Sequence, residues 1–112
     1  MKLYVITRAD LEPGAIGAQA IHGAVKFCYE HRTIMDYWYV KSNNVVLLAV
    51  PNEAALKHLA SRAEDAGFAV SVFREPDFDN TVTSITIEPD GYKLVSNLPL
   101  ALRPAPKQKQ AA

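Results

Sequence analysis

Apolar positions along the chain fall into short continuous runs and into stripes spaced three or four residues apart, and the two kinds take turns. Leu3 to Ile6 is a short run with β-branched and aromatic members, closed by Thr7-Arg8-Ala9-Asp10, and reads as a buried first strand. After the loop Asp10 to Gly14 the spacing turns helical. Ile16, Ala20, Gly23 or Ala24, and Phe27 recur at three or four residues, Pro13 suits the helix start, and the pattern runs to about Glu30. The small residues Gly17, Ala18, Ala20, Gly23 and Ala24 let this helix lie close against a sheet. An aromatic cluster, Tyr37-Trp38-Tyr39-Val40, precedes the turn signal Ser42-Asn43-Asn44. Val45 to Val50 is almost continuously apolar and predicts a central strand buried on both faces.

Asn52 is the natural N-cap of a second helix whose stripe is Ala55-Leu56, Leu59-Ala60 and Ala63, and Gly67 ends it. A third strand, Ala69 to Phe73, follows directly, and then a polar loop from Arg74 to Asn80. Thr81 to Ile87 alternates, with Val82, Ser84 and Thr86 on one parity and Thr83, Ile85 and Ile87 on the other, as a fourth strand should. Pro89-Asp90-Gly91 breaks the strand, a short helix fits within Tyr92 to Leu102, and residues 104–112 read as a mobile tail. This β-α-β-α-β-β order predicts an α/β domain of two or three layers with a mixed four-stranded sheet. Helical crossovers make parallel neighbours, and the short loop before the last strand makes an antiparallel one.

A length of 112 residues leaves room for a single domain, residues 1–103, plus the tail. At 49% hydrophobic and 21% charged the chain is composed to fold rather than to stay disordered. Twelve Lys and Arg balance twelve Asp and Glu, so no global positive field draws in nucleic acid, and such a partner must be held by a local patch. Cys28 has no intrachain partner and no Cys/His cluster has zinc spacing. A soluble protein of the reducing cytoplasm, without a membrane segment, is the expectation.

Chemistry concentrates at three places. The Thr7 to Gly14 loop leads from strand to helix, where open α/β sheets hold ligands, but one glycine, Gly14, makes no phosphate-loop motif. Gln19 and His22 share a helix face among alanines, and His22 read alone is more often a packed, satisfied residue than a site residue; His31 and His58 read as solvent-side. Asp77 and Asp79 precede a strand of hydroxyls, Thr81, Thr83, Ser84 and Thr86. A carboxylate beside hydroxyls is suited to orienting water and to bonding an oxyanion, though an ordinary turn before an amphipathic strand looks the same.

Tyr4-Val5-Ile6-Thr7-Arg8-Ala9-Asp10-Leu11, then Gly14 and Gly17-Ala18-Gln19-Ala20-Ile21-His22-Gly23-Ala24, resembles the type 2 peptidyl-tRNA hydrolase signature. Trp38, the strand and helix from Val45 to Ala66, the loop Arg74 to Asp79 and the Thr81-x-Thr83 strand follow in family order, so the resemblance covers roughly residues 2–102. It implies cleavage of the ester between peptide and 3′-terminal ribose of peptidyl-tRNA, with no metal or cofactor. It also implies helices on both faces of the sheet and a homodimer. Asp77 matches the family's loop carboxylate, with Glu75 as the competing match, and Thr83 or Thr81 its threonines. Arg8, Gln19, His22 and Arg74 would serve substrate binding at the same edge. Two departures mark this chain as a small, lysine-lacking, bacterial-type member. Where the family carries Gly-Lys before the helix it has Pro13-Gly14-Ala15-Ile16, and its loop between Asp77 and Thr81 is short. These departures leave a second expectation, a binding or dimerisation module without turnover.

Overall fold

Two helical crossovers and one hairpin set the strand order. β1 (Lys2–Arg8) leads through α1 (Pro13–Glu30) and α2 (Arg32–Lys41) to β2 (Asn44–Val50). Then come α3 (Glu53–Asp65), β3 (Val70–Glu75), a 3-10 turn at Pro76–Phe78, β4 (Thr81–Ile87), a second 3-10 turn at Pro89–Gly91 and α4 (Tyr92–Val95). This computed structural model describes residues 1–103, so the tail expected at 104–112 lies outside the described residues. The four-stranded sheet has the order β2-β1-β4-β3, with β1 parallel to β2 and β4 antiparallel to β1 and β3. Helices cover both faces, as expected, and among the described residues no helix is long and apolar enough to cross a membrane.

The two faces of the sheet differ in chemistry. Ile6, Val82, Ile85 and Ile87 pack with Leu56, Leu59, Ala60 and Ala63 of α3 and with Val95 of α4 into the main apolar core. Beneath α1, beside the apolar Leu3 and Val5, five buried side chains are hydroxyls: Thr7, Ser71, Thr83, Ser84 and Thr86. A strict alternation of β4 would have put Thr83 with the isoleucines. Instead Phe73 pairs with Ser84 and Arg74 with Val82, which leaves Thr83 as the extra residue of a β-bulge. The bulge turns Thr83 to the α1 side and keeps every apolar member of β4 on the other.

Three of these hydroxyls, on Ser71, Thr83 and Ser84, are tolerated because α1 comes close enough to bond them, Thr7 Oγ1 donates instead to the Leu48 carbonyl at 3.3 Å, and Thr86 Oγ1 has no partner among the described residues. Ser84 Oγ donates to the Gln19 carbonyl at 2.7 Å and Ser71 Oγ to Glu30 Oε1 at 2.6 Å. Gly23 permits this approach, since a Cβ there would lie 2.5 Å from Ser84 Oγ, whereas one at Gly17 would meet nothing within 4 Å. Of the three glycines of α1, only Gly23 is therefore there for close packing.

Two expectations need correction, on β2 and His31, and one element, α2, was not anticipated. Val45–Val50 does not form a central strand: β2 is an edge strand paired only with β1 along its length, and Val45 is 58% exposed. Its outer margin is met by the segment after α4, where Ala49 N–H donates to the Pro99 carbonyl and Ala101 N–H to that of Leu47. The aromatic cluster lies in a helix, α2, because Ile34, Met35 and Trp38 form one face that packs on Leu3 and Phe27. His31 is not solvent-side but half-buried, its ring tilted over Phe27 with centroids 4.7 Å apart. The α3 signals held. Asn52 Oδ1 accepts from Ala55 N–H at 3.0 Å, and Gly67 takes φ 87° in a Schellman close.

Candidate active site

The carboxyl ends of β1 and β3 and the start of β4 lie together because β4 is antiparallel to both. At this end the sheet presents Arg8, Glu75 and Thr81, with Glu75 opposite Thr81 across the hairpin. The hairpin loop is short, and Asp79 and Asn80 close it with φ of 54° and 60°, a conformation that Asp and Asn tolerate better than most residues. Asp77 is thereby fixed in the 3-10 turn, solvent-exposed, its backbone N–H aimed at Glu75 Oε1 at 3.4 Å. Glu75 itself is 9% exposed. The two carboxylates that compete as the family match thus differ in kind: one is buried and caps the turn, the other stands in water on it.

Arg8 is a clamp. Its Nε and Nη2 hold both oxygens of Asp10 at 3.0 Å, and Nη1 donates to Thr81 Oγ1 at 3.2 Å and to the Val82 carbonyl at 3.3 Å. Thr81 Oγ1 donates in turn to the Phe78 carbonyl at 2.7 Å, so the arginine reaches the Asp77 turn through one hydroxyl. Glu53, at the first turn of α3, accepts from Val82 N–H at 2.7 Å and adds negative charge near Arg8. The bond to Asp10 raises the Arg8 pKa above its ordinary value, and Arg8 holds Asp10 below the usual carboxylate range. Asp10 therefore stabilises the fold at pH values above its unfolded pKa, and that contribution fades as pH falls through its lower, folded value. Because Asp10 is 42% exposed the effect is small. Asp10→Asn should lower Tm at pH 7 by no more than about 5 °C, and the two melting curves should converge at pH 3.

On the α1 side Thr83 Oγ1 donates to Gln19 Oε1 at 2.6 Å, both residues being buried. This bond takes the amide oxygen and fixes Gln19 Nε2 as its remaining, donor end. His22, one turn further on, is exposed rather than packed in the core, and its ring stacks on Phe73 of β3. Arg74 points to the other face and donates to the Asn80 carbonyl at 3.4 Å, bracing the hairpin. The structure thus joins Arg8 with Thr81 and the Asp77 turn, and Gln19 with Thr83. It shows no bond between the Asp77 carboxylate and these groups. Glu53 and Phe73 are the members that sequence reasoning missed. Glu53 reads as an ordinary acidic first-turn residue, and nothing local reveals a partner 29 positions away.

An open α/β sheet with a carboxylate-bearing turn braced by Arg8 and Thr81 beyond its first strand, and with an amide oriented by Thr83 on its α1 side, has the makings of a hydrolytic enzyme. The model of one family, peptidyl-tRNA hydrolase PTH2, matches residues 1–109, and the chain belongs to that family. It is 30% identical over 100 residues to a peptidyl-tRNA hydrolase of Thermoplasma volcanium, covering 80% of this chain and 86% of that one. A solved structure, a protein of unknown function, Atu0240, from Agrobacterium tumefaciens strain C58, superposes with a TM-score of 0.66 at 15% identity. That match covers 88% of this chain and 96% of the other, and at this identity it speaks for the fold alone.

Proposed function

We propose that this chain hydrolyses the ester between the peptide carboxyl and the 3′-terminal ribose of peptidyl-tRNA, a step of translation carried out in the cytoplasm. Membership of the PTH2 family over nearly the whole chain carries this reading. In the proposed step Asp77 takes a proton from a water molecule whose oxygen attacks the ester carbonyl carbon. The carbon–oxygen bond to the ribose then breaks, the ribose oxygen regains a proton, and peptide acid and tRNA separate. Gln19 Nε2 faces the developing oxyanion, and Thr83 acts through Gln19 by holding its amide in that orientation. Thr81 and Arg8 keep the Asp77 turn in place. Glu75 supports the same turn from beneath. We further propose that the chain works without the family lysine of this region, where the first turn of α1 reads Pro13-Gly14-Ala15-Ile16. Purified protein at catalytic concentration should release free tRNA from N-acetylaminoacyl-tRNA; no release with enzyme in excess would refute the reading.

The homodimer is proposed as well. Ile21, Val25 and Tyr29 form an exposed ridge along α1 at 66%, 62% and 83% exposure. Beside it runs an apolar groove of about 280 Å³ lined by Val5, Gly17, Ala20, Ile21, Ala24, Val45 and Leu47. A ridge and a groove on one face are what a two-fold contact requires, the ridge of each copy seating in the groove of the other. It would also explain why β2 is apolar on a face that the monomer leaves open. Sedimentation at micromolar concentration should show a dimer that Val25→Asp converts to monomer, and a monomeric wild type would overturn this arrangement.

A further inference from the structure

The Gln19 face of α1 continues beyond the residues used above. His22 stacks on Phe73 with ring centroids 4.7 Å apart and 8° between the planes, so the pair is parallel. Phe73 is half-buried while His22 is exposed. One turn further, Lys26 is tied to β3 by a bond from Nζ to the Val72 carbonyl at 2.6 Å, which leaves two of its three N–H donors for another partner. β3 is the edge strand on this side, and among the described residues no further strand covers this margin of the sheet. Gln19, His22 and Lys26 thus follow one another along a single line at helical steps of about 4.5 Å and 6 Å.

Resting on the peptidyl-tRNA reading, we propose that His22, backed by Phe73, and Lys26 form the subsite for the 3′-terminal nucleotide of the tRNA. The adenine that ends every tRNA stacks on the outer face of the His22 ring, and Lys26 binds the adjoining phosphate. Packing alone does not account for the pair, because an exposed imidazole laid flat on a phenyl ring seals no core. An aromatic platform beside a fixed cation is the recurring device for single-stranded nucleic acid. It also suits a chain with zero net charge, in which the substrate must be held by a few placed groups.

The test is an NMR titration following the ring protons of His22, with His58 on the exposed side of α3 as internal control. Adenosine monophosphate and a short RNA ending in cytidine-cytidine-adenosine should both move His22 upfield and leave His58 in place. In kinetics, His22→Ala should raise KM for N-acetylaminoacyl-tRNA about 10- to 100-fold with kcat little changed, and His22→Trp should restore most of it. Lys26→Ala should weaken binding and flatten its salt dependence. Unmoved His22 signals alongside hydrolysis by the wild type would overturn the subsite and leave the hydrolase. Shifted signals without hydrolysis would keep the subsite and remove the hydrolase. A shift produced by an N-acetylamino acid ester but not by the nucleotide would place the peptide there instead, and would equally overturn the assignment.

Discussion

Asp77→Asn should lower kcat by about 10²- to 10³-fold with KM for N-acetylaminoacyl-tRNA nearly unchanged, because the substitution removes a proton acceptor and keeps the shape of the turn. Glu75→Gln should cost about 10-fold or less. Its buried carboxyl acts on the backbone N–H of Asp77, and an amide oxygen can still accept that bond. The order of the two effects is the informative part. If Glu75→Gln were the near-inactive variant and Asp77→Asn the mild one, the buried carboxylate would be the base and the exposed one its neighbour. Either ranking is read from single-turnover rates with both variants checked for native melting.

The second large effect is expected at Gly23, whose missing side chain decides whether α1 can bond the hydroxyl face. Gly23→Ala gains roughly 0.5–1 kcal/mol of helix propensity, but its Cβ displaces Ser84 Oγ from the Gln19 carbonyl and strands a buried hydroxyl, at about 1–3 kcal/mol. Gly17→Ala makes the same gain against empty space. In urea melts Gly17→Ala should be about 0.5–1 kcal/mol more stable than wild type and Gly23→Ala about 1–2 kcal/mol less stable. A stabilised Gly23→Ala would mean that the hydroxyl face adapts freely, and that the Gln19 backbone is not held by Ser84.

Where local chemistry marks an element, the sequence was easy to read. The Asn52 cap, the Gly67 close and the order of the four strands appear in the structure, with α2 as the helix that the expected order lacked. What stayed hidden depends on contacts between distant segments. Tyr37 to Val40 favour strands by type, yet Trp38 joins Leu3 and Phe27 and draws the segment into α2. The apolar run of β2 gives no hint of its place at the edge, because half its face lines an open groove rather than a core. The bulge at Thr83 has its trace in the adjacent pair Thr83-Ser84, which breaks the alternation of Val82 to Ile87, but reading the segment as a regular strand passes over it. The site was legible as residue types and not as bonds. Gln19 and Thr83 both stood out, but their contact spans 64 positions. Arg8 stands out as a cation by type, but its bonds to Thr81 and Val82 join segments that lie far apart in the chain.

In the proposed reaction water attacks the acyl carbon at the end of the sheet where Asp77 stands. Its most direct test is hydrolysis of N-acetylaminoacyl-tRNA in water enriched in the heavy oxygen isotope, with wild type and Asp77→Asn side by side. The wild type should turn over many times, with the label in the freed carboxyl group and none in the tRNA 3′ hydroxyl, and the variant should be about 100-fold or more slower. Label in the tRNA, or equal rates for the two proteins, would contradict it.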